Sequence, residues 1–488
     1  ALRFVDRVAR PGDGAVAARE LAAPARHASS ARFVGALDRA MLQAGVLAPC
    51  APGLVVPLAR ARLRSLVGHL VADAEHLGGH IAAAHRDGFR LNLNLLGEAV
   101  LGHREAAARL AKVTSLVLRP DVDYVSVKVS AVAAQLSTWD SAGRAARVVD
   151  QLRPLYRTAR TAGTFLNLDM EEYRDLALTV DGFDRLAQDE DLLDAPTGIV
   201  LQAYLPDASA ALEELTAIGR RRVGRGGRPI KVRLVKGANL AMERVEAELH
   251  GWAQAPYPGK ADVDAHFVRM LRTAVDPDRT GAVRVGVASH NLYHVALAHL
   301  LAAERGVVPD VDIEMLQGMA PAQARAVRAT HGSVLLYTPV VARADFDVAI
   351  AYLVRRLEEN AAGQNFLHAI FAGSSDAVAE DGGPTGLDGQ RQRFLASLAA
   401  ADDLDTTARR TPRGPVMVPE AGFVGCPDTD PAVAAHREWA ATLVRTPSRH
   451  PLPASATTRA EVDALLVRAC DLAPSWAGLR PAARATAL

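Results

Sequence analysis

The chain has 488 residues, 49% of them hydrophobic, with 56 basic side chains against 55 acidic ones. That length holds about two to four domains of ordinary size. The charge balance gives no pull towards nucleic acid or an anionic membrane surface.

Residues 1–88 are rich in Ala, Arg and Leu with helical periodicity, as in the run from Arg60 to Glu75. They read as a helical arm or cap without a strand. The most apolar stretch, 45–59, is broken by Pro49, Pro52 and Pro57 and falls short of the roughly 18 residues that a spanning helix needs. No signal-peptide pattern opens the chain. Cys50, Cys426 and Cys470 show no metal or redox spacing and are expected to pack as small hydrophobes in a reducing compartment. The expectation is a cytoplasmic protein, at most peripheral to the inner membrane.

Over 89–375 the pattern changes to short Val-, Ile- and Leu-rich runs, each followed by an amphipathic helix. The strand candidates are Leu91–Leu96, Tyr124–Val129, Phe165–Leu168, Gly198–Ala203, Ile230–Val235, Arg284–Ala288, Val311–Leu316 and Val334–Tyr337. Strands alternating with helices imply parallel pairing, and this number of units at this length predicts an α/β fold of the (β/α)8 TIM-barrel type. A doubly wound sheet would want a Gly-rich loop after an early strand, whereas Gly224–Gly227 precedes one.

A barrel of this type places its function where the strands run out. The exits carry Glu98, Lys128, Asp169, Met170, Gln202, Arg233, Lys236, Gly237, Ser289, His290, Asn291, Gln317 and Tyr337, while the strand openings read as mostly apolar. Strand alternation puts Arg233 and Val235 on one face towards the mouth, and Gly237 permits another body to approach the backbone closely. The basic residues comprise 51 Arg and five Lys, so each Lys is informative, and Lys128, Lys231 and Lys236 lie in apolar, strand-like runs. After the eighth strand comes Tyr352-Leu-Val-Arg-Arg-Leu-Glu-Glu-Asn360. Its Arg355 and Arg356 read either as a solvated helix face or, overhanging the mouth with Lys128, as a clamp for a small carboxylate. Glu98, Asp169 and Glu359 supply balancing charge.

Residues 376–414 read as a connector with a short helix. Residues 415–488 are Ala-rich and helical, with no Cys nucleophile in a strand-flanked loop and no Gly-rich nucleotide turn.

The motifs Leu-Gly-Glu (96–98), Val-Lys-Val-Ser (127–130), Asn-Leu-Asp-Met-Glu-Glu (167–172), Leu-Gln-Ala-Tyr (201–204), Arg-Leu-Val-Lys-Gly-Ala (233–238), Ala-Ser-His-Asn (288–291) and the paired-arginine segment together resemble the proline dehydrogenase family. In particular they resemble the amino-terminal half of the bifunctional proline utilisation A proteins, with 415–488 similar to the start of the aldehyde dehydrogenase half. The resemblance implies FAD-dependent oxidation of L-proline to 1-pyrroline-5-carboxylate, with hydride passing to flavin N5 and electrons on to a quinone at the membrane surface. It implies Asp169 and Arg233 as the active-site pair. Arg355, Arg356 and Lys128 would hold the proline carboxylate, with Glu359 one turn beyond the arginine pair. Tyr337, Tyr352 and Leu316 would wall the proline ring, and Glu98 would gate it. Met170, Gln202, Arg233, Val235, Lys236, Gly237, Ala238, Ser289, His290 and Asn291 would line the flavin. No metal is implied, and aldehyde dehydrogenase activity is not expected of this chain. Asn239-Leu240 departs from the aromatic pair of many relatives, and no basic ribbon-helix-helix segment precedes residue 90. Two other readings stand beside this one: a Schiff-base aldolase using Lys128 or Lys236, and an idle fragment of a bifunctional enzyme.

Overall fold

The computed structural model describes residues 7–8, 11–25, 40–41, 43–97, 100–342, 349, 352, 365–371, 386–412, 428–446 and 458–487. Arg355, Arg356, Glu359 and Glu98 lie outside the described residues. The chain divides into two compact units, 1–244 with 254–409, and 245–253 with 410–488.

The first unit is a closed parallel barrel. Its strands are β1 (Ala72–Asp73), β2 (Arg90–Leu95), β3 (Tyr124–Lys128), β4 (Phe165–Asp169), β5 (Thr197–Gln202), β6 (Ile230–Val235), β7 (Val283–Ala288), β8 (Val311–Leu316) and β9 (Leu335–Val341). Strands β2 to β9 follow one another around the sheet, and β9 closes it by pairing with both β8 and β2. The eight predicted strands are all present. The helices between consecutive strands bury apolar faces, as helix Leu176–Ala187 does with Leu178, Phe183 and Leu186. That is how parallel strands, apolar on both faces, are covered.

One element departs from the expectation that residues 1–88 contain no strand. Ala72 and Asp73 pair in parallel with Val340 and Val341 of β9. Because β8 pairs with β9 only as far as Tyr337, β1 takes up the edge that β8 leaves. Two residues are too few for alternation to register, and the partner sets the conformation. Further upstream, helices Gly14–Ala25 and Pro52–Val67 enclose a small apolar cluster of Ala17, Ala18, Leu21 and Val56. Cys50 is exposed rather than packed, as is Cys470.

The stretch expected as a connector carries helix Gly386–Ala400, whose Phe394 stacks on Tyr293 at 5.4 Å between ring centroids. Beyond it, the carbonyls of Asp402 and Leu404 accept from Arg269, and that of Asp405 from Tyr257. The second unit holds helices Ala434–Arg445, Arg459–Gly478 and Pro481–Ala487. Within it Arg410 lies 4.9 Å from the Trp252 ring centroid and 3.4 Å from Asp430. Among the described residues no helix is long and apolar enough to cross a membrane.

Candidate active site

Barrels of this type usually fill their interior with branched apolar side chains. This one carries a chain of charge. Alternation along β6 turns Lys231 and Arg233 to the same face. Arg233, 8% exposed, donates from Nε to Glu314 Oε2 at 2.7 Å and holds a terminal nitrogen 3.5 Å from Asp169 Oδ1. Its guanidinium lies 4.6 Å from the Tyr337 ring centroid. The Tyr337 hydroxyl donates to Asp169 Oδ2 at 3.0 Å and accepts from the Asn94 amide. Asn167 Nδ2 donates to Asp169 Oδ1 at 2.8 Å. Burial pushes the Asp169 carboxyl above the usual range; Arg233, Tyr337 and Lys128 pull back without cancelling it. Burial would lower the pKa of Arg233, but Glu314 and Asp169 more than reverse that.

Deeper in the barrel Lys231 is 1% exposed, with Nζ 2.8 Å from Asp312 Oδ2 and 2.7 Å from Glu314 Oε1. Burial works against its charge, yet Glu314, Tyr124 and Asp312 raise its pKa above that of a free lysine. The pair spans β7 at Gly286, where a Cβ would come within 2.3 Å of Glu314 Oε1 and 2.7 Å of Lys231 Cε. Only glycine leaves room for that crossing.

Around the rim, Lys128 Nζ meets Glu171 Oε1 at 2.5 Å. The Glu171 carbonyl accepts from Gln202 Nε2 and from the Tyr204 hydroxyl, each at 3.2 Å. Met170 and Gln202 are buried, while Val235, Lys236, Ala238 and Ser289 are half-buried and Gly237 is exposed. Gly237 has φ 125°, and a Cβ there would lie 2.5 Å from the Tyr204 ring. The body approaching this glycine is Tyr204. Lys236 turns to Asp264 at 2.5 Å, which also holds Lys260 at 2.5 Å. Burial brings Lys236 down to about 8. For Asp264 burial acts upward, but the two lysines prevail and keep it at about 2.

The segment after β7 is engaged within the fold. Asn291 caps helix Leu292–Glu304 through the Tyr293 N–H at 3.0 Å. The Ser289 hydroxyl accepts from Asn291 N at 3.0 Å, and His290 Nε2 accepts from Leu316 N at 2.9 Å. Tyr352 packs by Leu70, Val71, Val341 and Ala349.

The structure therefore joins Asp169, Arg233 and Tyr337 directly, with Lys128 opposite Asp169 on the neighbouring strand and paired with Glu171. Sequence reasoning missed Glu314, Asp312 and Glu171, and it noted Lys231 as a lysine in an apolar run without giving it a role. Lys231 lies early in β6. The alternation that turned Arg233 inward applies equally to Lys231, two positions before it. The site offers a cation fixed by two carboxylates and an aromatic face. Such a setting suits an anionic or electron-accepting planar body.

Residues 78–369 match the proline dehydrogenase family. The bifunctional protein PutA of Rhizobium meliloti is 31% identical over 256 residues, covering 50% of this chain and 20% of that protein. PutA of Salmonella typhimurium is 25% identical over 330 residues, covering 62% and 24%. Among solved structures, proline utilization A from Corynebacterium freiburgense superposes with TM-score 0.68 at 48% identity, over 78% of this chain and 37% of that one. The protein from Bdellovibrio bacteriovorus, inactivated by N-propargylglycine, gives TM-score 0.71 at 26% identity, over 91% and 44%. The chain thus spans about a fifth to a quarter of the length of these curated relatives.

Proposed function

From the premise that the chain belongs to the proline dehydrogenase family, we propose that it oxidises L-proline to 1-pyrroline-5-carboxylate with FAD as its cofactor. The single observation that carries this reading is Arg233, buried and held between Asp169 and Glu314 where β6 runs out.

The residues present fit a flavin. Gln202, Met170, Val235, Ala238, Ser289 and the exposed backbone at Gly237 would supply its border, a mixture of apolar surface, amide and backbone donors that suits a large planar cofactor. His290 and Asn291, already bonded to Leu316 and Tyr293, would shape this border rather than reach across it. Lys236, turned to Asp264, would act on the cofactor as a charge. When bound, FAD supplies the acceptor for the two electrons and the hydrogen that proline loses.

The protein's own task is then placement. By the family resemblance, Arg355, Arg356 and Lys128 would hold the proline carboxylate, with Glu359 one turn on in the sequence. Tyr337, Tyr352 and Leu316 would wall the ring and exclude water, and Glu98 would be the gate. Glu171, already on Lys128, keeps that cation's charge balanced before substrate arrives. Both oxygens of Asp169 accept hydrogen bonds, from Asn167 and Tyr337, and the amine proton leaves to water or in a pre-equilibrium. Electrons leave to a quinone, and the product passes to an aldehyde dehydrogenase half in the long relatives' arrangement.

An aldolase lysine fits less well, because Lys128 and Lys236 are each tied to a carboxylate. The absorbance spectrum tests the reading. Pure protein should show flavin bands that bleach on addition of L-proline. Protein that holds no flavin when supplied with FAD, or a flavin indifferent to proline, overturns it.

A further inference from the structure

We propose that Glu314 is a positioning residue for this reaction, setting both the aim and the effective charge of Arg233, with Lys231 as its anchor. The inference rests on the proline oxidation proposed above.

Glu314 is 1% exposed, and its two oxygens face different cations. Oε2 takes the Arg233 Nε–H at 2.7 Å, and Oε1 lies 2.7 Å from Lys231 Nζ. Strand β7 would ordinarily separate β6 from β8, and Gly286 is what allows the side chains to meet across it. A carboxylate bound from both sides and packed against a bare backbone has little freedom to turn. Arg233 therefore inherits a fixed direction from the barrel wall. Asp169 reaches it only at 3.5 Å, through a terminal nitrogen. Glu314 is thus the closer constraint.

The second consequence is electrostatic. A guanidinium between two carboxylates presents less positive potential to an acceptor beside it than a free one does. Lys231 and Asp312 complete the row, so Glu314 is shared between two cations rather than spent wholly on Arg233. Glutamine at 314 keeps an acceptor for Nε–H and nearly the same volume but removes the charge. Aspartate keeps the charge but shortens the reach.

The test uses the full chain loaded with FAD, reading the midpoint potential of the bound flavin and the proline:dye kinetics of E314Q and E314D. E314Q should raise the midpoint potential and lower kcat on the order of 10- to 100-fold, the scale of a catalytic group displaced by about 1 Å. KM for proline should change far less. E314D should hold the wild-type potential while kcat still falls. An E314Q protein with wild-type potential, or with wild-type kcat, overturns the proposal. If E314Q does not retain flavin, E314D decides, and wild-type kcat there overturns it. A wild-type protein that binds no flavin or ignores proline refutes the proposed function instead, so the two failures are told apart.

Discussion

Lys231→Met removes a fully buried cation from the barrel and keeps its length. Lys231 is 1% exposed, with two carboxylates within 2.8 Å. Taking one partner from a buried ion pair costs about 3–5 kcal/mol, because the charge left behind is neither solvated nor matched. The low end applies here. Asp312 keeps Arg90 and Arg284 at 4.0 Å, and Glu314 keeps Arg233 at 2.7 Å. The expected loss is therefore about 3 kcal/mol, or roughly 6 °C in melting temperature at about 2 °C per kcal/mol for a large domain. Its pKa is raised above that of a free lysine. The lysine's contribution is therefore complete below about pH 10 and lost only as pH rises through the folded value. Urea unfolding of Lys231→Met, Glu314→Gln and the double variant measures the coupling, expected to be at least about 1 kcal/mol. A single variant within about 0.5 kcal/mol of wild type, or strictly additive changes, would refute the reasoning.

Gly286→Ala places a methyl 2.3 Å from Glu314 Oε1 and should cost about 1–3 kcal/mol by overpacking; unchanged urea stability contradicts the crossing. Gly237→Ala drives a Cβ to 2.5 Å from the Tyr204 ring at φ 125°, a strain of roughly 1–3 kcal/mol. On the proposed function it should also weaken FAD retention in gel filtration, and wild-type retention counts against Gly237 as cofactor border. His266 donates from Nδ1 to the Ala203 carbonyl at 2.7 Å, and its Nε2 lies 2.6 Å from the Ser209 hydroxyl. Burial lowers its pKa from 6.5 to about 4. Between those values the unfolded chain binds more protons, so stability falls as pH drops, by up to roughly 3 kcal/mol at pH 4. His266→Gln should flatten the melting temperature between pH 6.5 and pH 4, and an undiminished slope would assign the sensitivity elsewhere.

The barrel was legible because the strands are short Val-, Ile- and Leu-rich runs and the crossovers longer helices, two periods that do not mimic one another. Looking at strand exits found Lys128, Asp169 and Gln202 because a polar residue ending an apolar run stands out; Arg233 lies two residues inside the end of β6. Lys231 stood out only as a lysine in an apolar run, and Glu314 not at all, since each sits inside its run, where a charge reads as an interruption. What makes them a pair is Gly286 on the strand between, and that adjacency belongs to three dimensions. His290 and Asn291 illustrate the converse. Their polar signal at a strand exit is real, but the atoms are engaged in starting the next helix and bonding β8. Strand β1 left no trace in the sequence because its two residues are extended only through their partner.

That strand also bears on where the chain could be cut. The family match begins at residue 78, beyond β1. A fragment trimmed to the matched span would lose Ala72 and Asp73 and leave Val340 and Val341, both buried in the intact chain, with open backbone donors and acceptors along one side. Exposed apolar margins of that kind recruit a second molecule. Such a fragment should therefore self-associate as its concentration rises, while a fragment beginning before the arm's last helical turns should not.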